Sequence, residues 1–205
     1  MPKFKPYLNQ KLTITPEGEI FDEEGYGVMM GFEKPLMKKT AEVICANNGD
    51  ILNVGYGMGL IDNYIQSYNS NSHWIIEAHP QIKEKMCKEG WLKKPNVKCI
   101  FTKWQNVLPY LPKFDGIYID TYGESMLDFI KNAHKLLKPN GIFSFFYNPF
   151  SPEELINSTF GALEQHFNKR SIQVEFDEVP NSQGTEPYWL PEVKIFKLYY
   201  WILKT

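Results

Sequence analysis

The sequence predicts an α/β fold, a doubly wound sheet of five parallel strands with a C-terminal antiparallel hairpin. Short apolar runs alternate with segments of helical periodicity from residue 33 to residue 167, which is the pattern of β-α-β units. Glycines follow the first of these strands, where sheets of this kind bind ligands. The last two apolar runs have no helical segment between them, so they can only pair antiparallel.

The N-terminal segment has a different composition from the rest of the chain. Residues 1–27 carry three prolines and three glycines among short apolar clusters, which predicts an ordered arm or a short hairpin. We expect residues 1–30 to form an arm and residues 31–205 to form the main domain. A helix is predicted at 33–46, where apolar residues recur at helical spacing and Pro35 lies in the first turn.

The strands and helices of the main domain then follow in order. Strands are predicted at 50–55, 73–77, 97–102, 114–120 and 142–147. Helices are predicted at 58–68, 80–90, 104–111, 125–137 and 151–167, the last with Ser151 as its cap. Residues 138–141 (KPNG) form a stop signal after the fourth of these helices. Strand-like runs at 171–179 and 192–204 complete the predicted hairpin.

Composition and charge exclude several classes of protein. The chain has 205 residues, of which 43% are hydrophobic, so one domain with a sizeable core is expected. A net charge of −2 gives no electrostatic basis for binding nucleic acid or a membrane surface, and no apolar run is long enough to span a bilayer. Three separated cysteines and no secretory signal predict a cytoplasmic protein, and four scattered histidines predict no metal site.

The clearest chemical signal lies in the loop after the first parallel strand. Gly55, Gly57 and Gly59 would let a ligand approach the backbone closely, but a dinucleotide loop would need a further glycine at Leu60. Glu77 ends the second strand, where an acid accepts hydrogen bonds from ribose hydroxyls. These features favour S-adenosylmethionine (SAM) over a nicotinamide cofactor. The alternative is a tight turn with a surface glutamate.

Two other acids and a set of aromatic residues could bind a substrate. Asp120 ends the fourth strand, within reach of a methyl donor, although a helix-capping role is the alternative. Glu33 lies at the start of the first helix, where a solvated glutamate is also common. Aromatic faces suit a sulfonium or guanidinium cation, although core packing is their commoner role. The candidates are Tyr7, Tyr26, Phe32, Tyr56, Trp104, Tyr122, Tyr147 and Phe150.

Six collinear segments resemble the guanidino methyltransferases, the family of guanidinoacetate N-methyltransferase and the type IV protein arginine methyltransferases. They are 27–30 (GVMM), 32–35 (FEKP), 51–61 (ILNVGYGMGLI), 75–80 (IIEAHP), 104–109 (WQNVLP) and 114–122 (FDGIYIDTY). The match is closer to the arginine enzymes, which methylate the internal (δ) nitrogen. It departs from the family at Phe32, where a tryptophan is usual, and at residues 148–150 (NPF).

The resemblance implies a class I SAM-dependent methyltransferase with a Rossmann-like sheet and assigns roles to individual residues. The implied cofactor contacts are Tyr7, Met37, Tyr56, Gly57, Met58, Gly59, Leu60, Ile61, Glu77, Ala78, His79, Trp104, Gln105 and Asp120. Asp120 and Glu33 are the implied catalytic acids. The expected substrate contacts are Glu33, Tyr122, Asn148 and Phe150.

The sequence therefore predicts an enzyme that transfers a methyl group from SAM to a guanidino nitrogen and leaves S-adenosylhomocysteine. The expected acceptor is arginine in a protein or peptide, at its δ nitrogen. A free guanidino compound such as guanidinoacetate or arginine is the alternative acceptor. A non-catalytic SAM-binding protein and a nicotinamide enzyme are the remaining alternatives. The sequence leaves open whether the protein is a monomer or a homodimer.

Overall fold

The computed structural model describes residues 5–148, 151–176 and 194–205. The predictions made for Phe150 and for residues 177–179 and 192–193 lie outside these residues. Within them the chain forms a small antiparallel sheet followed by a seven-stranded mixed sheet. None of the helices in the described ranges combines the length and the apolar character needed to cross a bilayer.

The described part of the N-terminal arm, from residue 5 onward, contains short 3₁₀ turns and strands. A 3₁₀ turn at Tyr7–Asn9 precedes a three-stranded antiparallel sheet. Its strands are β1 (Thr13–Ile14), β2 (Ile20–Phe21) and β3 (Gly27–Met29). A second 3₁₀ turn at Gly31–Glu33 leads into helix α1 (Lys34–Ile44), with Pro35 in the first turn.

The main domain follows the predicted alternation of strands and helices. Its strands are β4 (Asp50–Val54), β5 (Ser72–Glu77), β6 (Val97–Phe101), β7 (Phe114–Ile119), β8 (Leu137–Phe145), β9 (Phe167–Glu175) and β10 (Ile195–Leu203). The helices between them are α2 (Leu60–Ile65), α3 (Pro80–Lys88), α4 (Trp104–Val107), α5 (Leu127–Asn132) and α6 (Glu153–Glu164). Short 3₁₀ turns lie at Trp91–Lys93, Leu108–Tyr110 and Ala133–Leu136.

The strand order of the large sheet is β6-β5-β4-β7-β8-β10-β9. Strands β4 to β8 pair in parallel, and β10 lies antiparallel between β8 and β9, which confirms the predicted sheet and hairpin. The chain runs outward from β4 to β6 and then returns to β7 beside β4. This reversal places the ends of β4 and β7 next to each other, which is where doubly wound sheets bind ligands.

The core lies on both faces of the sheet. Residues of α1 pack with Tyr118 of β7 on one face, whereas Phe129 of α5 and Trp201 of β10 pack with the same strand on the other face. Five of the six residues of β7 are buried. A strand covered on both faces reads as a continuous apolar run, which is why residues 114–119 were recognisable from sequence.

The predicted boundaries around β8 were wrong. The stop signal at 138–141 does not separate a helix from a strand, because β8 already begins at Leu137. The strand accommodates these residues as an irregularity opposite residues 114–116 of β7, with Asn140 at a φ of 61°. Asparagine tolerates this left-handed conformation better than most residues, so the turn residues are accommodated within the strand.

The start and end of α6 also differ from the prediction. The helix begins at Glu153 after Pro152, and no side chain caps its first turn, so the predicted capping role of Ser151 was wrong. Phe167 is the first residue of β9 and does not belong to the helix. Its buried ring packs with Phe143 in the core, so tertiary packing ends the helix earlier than the local pattern suggests.

Candidate active site

A cavity of about 510 Å³ lies at the carboxyl ends of β4 to β7. Its volume is in the usual range for small-molecule sites. The strand ends contribute one part of its wall and the N-terminal arm another. The lining residues are Pro6, Tyr7, Leu8, Asn9, Gly27, Val28, Met29, Val54, Gly55, Gly57, Ile76, Glu77, Ala78, Thr102, Lys103, Trp104, Asp120, Thr121, Tyr122, Gly123, Glu124 and Phe146.

Gly55 lies where the ends of β4 and β7 meet, and only glycine fits there. Its φ is 98°, and a Cβ at this position would overlap the carbonyl oxygen of Asp120. The Asp120 N–H donates to the carbonyl of Val54 over 2.9 Å, which holds the two strand ends together. The close approach leaves the backbone of Gly55 and Gly57 in the cavity wall.

Glu77, the last residue of β5, connects the glycine loop to the next helix. Its carboxylate accepts hydrogen bonds from the Tyr56 N–H over 2.9 Å and from the His79 N–H over 2.6 Å. The side chain is buried, and burial raises its pKa, while these amide hydrogen bonds oppose the rise. The carboxylate is therefore held in a fixed orientation in the wall of the cavity.

Asp120 follows β7 directly and lies in the cavity wall beside Gly55. Burial raises the pKa of its carboxyl to about 7. The Tyr118 hydroxyl, 3.4 Å from Oδ2 of Asp120, opposes this rise. A carboxyl with a pKa near neutral is well matched to accepting a proton at physiological pH.

Glu33 is the last residue of the 3₁₀ turn before α1 and is not among the described residues that line the cavity. Its side chain is 2% exposed, and its Oε1 accepts a hydrogen bond from the Met30 N–H over 2.8 Å. Burial raises the pKa of the Tyr118 hydroxyl, and the charges of Asp120 and Glu33 raise it further. The two acids predicted to be catalytic thus act on one buried hydroxyl, although only Asp120 lines the cavity.

The arm contacts the loop that follows β7. The rings of Tyr7 and Tyr122 pack edge to face with their centroids 5.1 Å apart. The Tyr122 hydroxyl donates to Oδ2 of Asp22 over 2.9 Å, and the other oxygen of Asp22 accepts from the Tyr26 N–H. Asp22 is buried in the turn between β2 and β3, so this hydrogen bond fastens the arm to the main domain.

The cavity brings together only part of the predicted site. The predicted residues that line it are Tyr7, Gly57, Glu77, Ala78, Trp104, Asp120 and Tyr122. The predicted residues that are not among its described lining residues are Glu33, Met37, Tyr56, Met58, Gly59, Leu60, Ile61, His79, Gln105 and Asn148.

Several of these outer residues have contacts that explain their positions. The Tyr56 side chain is buried against Trp91, and its hydroxyl donates to Glu89 over 2.6 Å. His79 accepts a hydrogen bond from the Gln81 N–H and packs against the ring of Tyr7. Met37 is a buried residue of α1, whereas Gln105 and Asn148 are exposed.

Two residues with clear contacts at the site were not among the predicted site residues. Tyr118 precedes Asp120 by two positions, so the alternation of side chains along a strand could have indicated that they share a face. Asp22 meets Tyr122 across a separation of 100 residues, and no local pattern could have indicated that contact. Among the described residues, no group of three or more His, Cys, Asp or Glu side chains could hold a metal ion.

Comparison with known proteins agrees with the geometry of the site. The family model for guanidinoacetate N-methyltransferase matches residues 17–179. A protein arginine N-methyltransferase 2 from Yarrowia lipolytica is 41% identical across 84% of this chain and 40% of its own length. Another from Candida glabrata is 42% identical across 68% of this chain and 37% of its own length. The chain spans about two fifths of the length of these relatives.

Solved structures show the same fold at low sequence identity. Spermidine synthase from Thermotoga maritima aligns with a TM-score of 0.67 and 16% identity, over 96% of this chain and 69% of its own. The N-methyltransferase NodS from Bradyrhizobium japonicum, in complex with S-adenosyl-L-homocysteine, aligns with a TM-score of 0.61 and 14% identity, over 85% and 89% of the two chains. These likenesses establish the class I methyltransferase fold.

The fold places a glycine loop and the acids Glu77 and Asp120 around one cavity. The family match covers these residues, and it extends from the arm to residue 179, beyond the first residues of the C-terminal hairpin. On these grounds the chain is a member of the guanidinoacetate N-methyltransferase family.

Proposed function

We propose that this chain is a SAM-dependent N-methyltransferase that acts on the guanidino group of arginine in a protein or peptide. The observation that carries the proposal is Asp120, a carboxyl of raised pKa in the wall of the cavity at the end of β7. The names of the relatives in Yarrowia and Candida support arginine as the acceptor. The family match supports a guanidino group more generally.

The residues in the cavity wall fit SAM, which supplies an electrophilic methyl group when it is bound. Glu77 is held so that its carboxylate oxygens can accept hydrogen bonds from ribose hydroxyls. The exposed backbone at Gly55 and Gly57 suits the amino-acid end of the molecule. Ala78 and Trp104 provide apolar wall on the far side. The other cofactor contacts that the resemblance implies, which are not among the described lining residues, stay predictions.

A guanidinium group is a poor nucleophile, and in the proposed mechanism Asp120 and Glu33 make one of its nitrogens more reactive. Its pKa is above about 12 and its nitrogen lone pairs are delocalised. In the proposed reaction Asp120 orients the attacking nitrogen and draws positive charge toward itself. With SAM bound, the nitrogen lone pair would form the new N–C bond as the S–CH₃ bond breaks and S-adenosylhomocysteine leaves, and the proton that this nitrogen loses would pass to the Asp120 carboxylate. The pKa of about 7 suits Asp120 to that transfer.

Glu33 contributes its charge from a fixed position. The hydrogen bond from Met30 holds its carboxylate in place, and both Glu33 and Asp120 act on the Tyr118 hydroxyl. In a poorly hydrated site, the negative charge of Glu33 adds to that of Asp120, and together they favour binding of a planar cation between the two carboxylates. We infer that Glu33 anchors the far side of the guanidinium group.

The arm is proposed to act as a lid over the cofactor. Residues 6–9 and 27–29 contribute to the cavity wall, and the Tyr122–Asp22 hydrogen bond fastens the arm to the loop after β7. A closed arm would exclude water and hold the reactants in place. The roles of Asn148 and Phe150 in binding substrate, the cytoplasmic location and the absence of a nucleic-acid partner stay predictions.

Mass spectrometry of the reaction products tests the proposed function. The purified protein is incubated with SAM and, separately, with arginine-containing peptides, free arginine and guanidinoacetate. We expect methylated peptide, with fragment ions that place the methyl group on the δ nitrogen. Methylation of only the free compounds would replace the acceptor with a small molecule. No methylation of any guanidino compound would contradict the proposal.

A further inference from the structure

A buried chain of polar side chains lies behind the glycine loop and takes no part in the proposed chemistry. Asn53 of β4, Asp62 of α2 and His73 of β5 are each 0% exposed. The Asn53 amide, Nδ2, lies 2.9 Å from each carboxylate oxygen of Asp62. Nε2 of His73 lies 3.0 Å from Oδ1 of Asp62, and Nδ1 of His73 lies 3.0 Å from Nε2 of Gln66.

Each contact along this chain pairs a donor with an acceptor, whereas the buried Oδ1 of Asn53 has no hydrogen-bond partner among the described residues. A carboxylate accepts hydrogen bonds, so the proton of the His73 ring lies on Nε2, toward Asp62. Nδ1 then accepts a hydrogen bond from the Gln66 amide. A buried polar group that loses its partner costs stability because its desolvation is no longer compensated. Each member therefore fixes the orientation of the next.

The chain ends on the backbone of the proposed cofactor loop. The Asn53 amide also donates to the carbonyl of Gly55 over 3.0 Å. Gly55 lines the cavity, and its N–H donates to the carbonyl of Ile76 over 2.9 Å. The peptide groups on both sides of Gly55 are thus held, one by the backbone of β5 and the other by the buried side chains.

We propose that Asn53, Asp62 and His73 are positioning residues that hold the glycine loop, residues 55–59, in the shape that binds the cofactor. The inference rests on the proposed function only in naming SAM as the molecule that this loop holds. The three residues touch neither the cavity nor its contents, and they act through the Gly55 carbonyl.

Asp62→Asn tests this inference because it places an amide where the Asn53 amide and the His73 Nε2–H need an acceptor. We expect the dissociation constant for SAM, measured by calorimetry, to rise about tenfold. The KM for the guanidino acceptor should stay at the wild-type value. Without ligand, the amide hydrogens of residues 55–59 should exchange faster than in the wild type.

Two further variants separate positioning from general stability. His73→Gln keeps a donor toward Asp62 and an acceptor toward Gln66, so it should retain more SAM affinity than His73→Phe. If Asp62→Asn does not fold, the difference in SAM affinity between these two variants tests the positioning role. Asp50→Asn alters an acid at the opposite end of β4 that pairs with Lys138. It should change thermal stability without changing SAM affinity.

The inference is overturned if folded Asp62→Asn has wild-type affinity for SAM and wild-type exchange of the loop amides. It is also overturned if His73→Gln and His73→Phe have equal effects on SAM affinity. If the wild-type protein binds no SAM, the proposed function fails. The exchange of residues 55–59, which is measured without ligand, then still decides whether the buried chain holds the loop.

Discussion

The surroundings of Asp120 set its chemistry more than its residue type does. In water an aspartate is fully ionised at neutral pH, whereas burial at the end of β7 raises the pKa of Asp120 to about 7. Its position after a strand identified it as a candidate from sequence. Its burial, and the Tyr118 hydroxyl 3.4 Å away, follow from tertiary packing and could not be predicted from local pattern.

The raised pKa of Asp120 predicts a pH dependence for the reaction. The carboxylate form binds the guanidinium cation and accepts a proton, and this form is populated as the pH rises through about 7. We expect kcat/KM for the acceptor to increase with pH and to level off above about pH 8. Because the Tyr118 hydrogen bond lowers the pKa of Asp120, Tyr118→Phe should shift the rise in kcat/KM to higher pH. A flat profile between about pH 6 and pH 8 would contradict the assignment.

Glu77→Ala should weaken cofactor binding selectively. The change removes the acceptor for ribose hydroxyls and also the two amide hydrogen bonds that hold the loop. We expect the SAM dissociation constant, measured by calorimetry, to rise roughly 10- to 100-fold. Glu84→Ala, at an exposed position of α3, serves as the control. Equal SAM affinity in the wild type and Glu77→Ala would rule out the proposed role of Glu77.

At the level of elements, the ends of β4 and β7 define the site. Short apolar runs predicted both strands, and the sheet order then brings Gly55 against Asp120. Element boundaries were less predictable where tertiary contacts compete with local signals. The KPNG sequence forms an irregularity within β8, and the helix predicted at 151–167 ends at Glu164, with Phe167 the first residue of β9.

Gly55→Ala should destabilise the fold at this junction. A methyl group there would overlap the Asp120 carbonyl, and alanine is also strained at a φ of 98°. We expect the free energy of unfolding, from urea titration, to fall by about 2 kcal/mol or more. Gly161→Ala provides the matched control, since a Cβ at this position in α6 meets open space. Equal stabilities of the two variants would show that the β4–β7 junction tolerates a side chain.

Tyr122→Phe should loosen the arm. The substitution removes the hydrogen bond to Asp22 and keeps the ring that packs against Tyr7. SAM should dissociate about three- to tenfold faster in stopped-flow fluorescence, because the proposed lid opens more often. Tyr110→Phe, at a side chain that is 84% exposed, should match the wild type. An unchanged dissociation rate in Tyr122→Phe would argue against the lid.

For the whole molecule, the sequence predicted the sheet, its hairpin and the family, because those features depend on strongly periodic strands and on long motifs. It did not predict how the arm packs, since the Tyr122–Asp22 contact joins distant parts of the chain. It also did not predict that the Glu33 side chain is 2% exposed, or that its charge, with that of Asp120, raises the pKa of the Tyr118 hydroxyl. How deeply a side chain is buried depends on tertiary packing, and a single sequence does not show that packing.

The central claim is that Asp120 orients the guanidino nitrogen and takes its proton. The most direct test is the rate of methyl transfer to an arginine peptide by Asp120→Asn at saturating SAM, with SAM affinity measured in parallel. We expect Asp120→Asn to lose turnover by a factor on the order of 10² to 10⁴ while its SAM affinity stays near the wild-type value. A wild-type rate in that variant would contradict it.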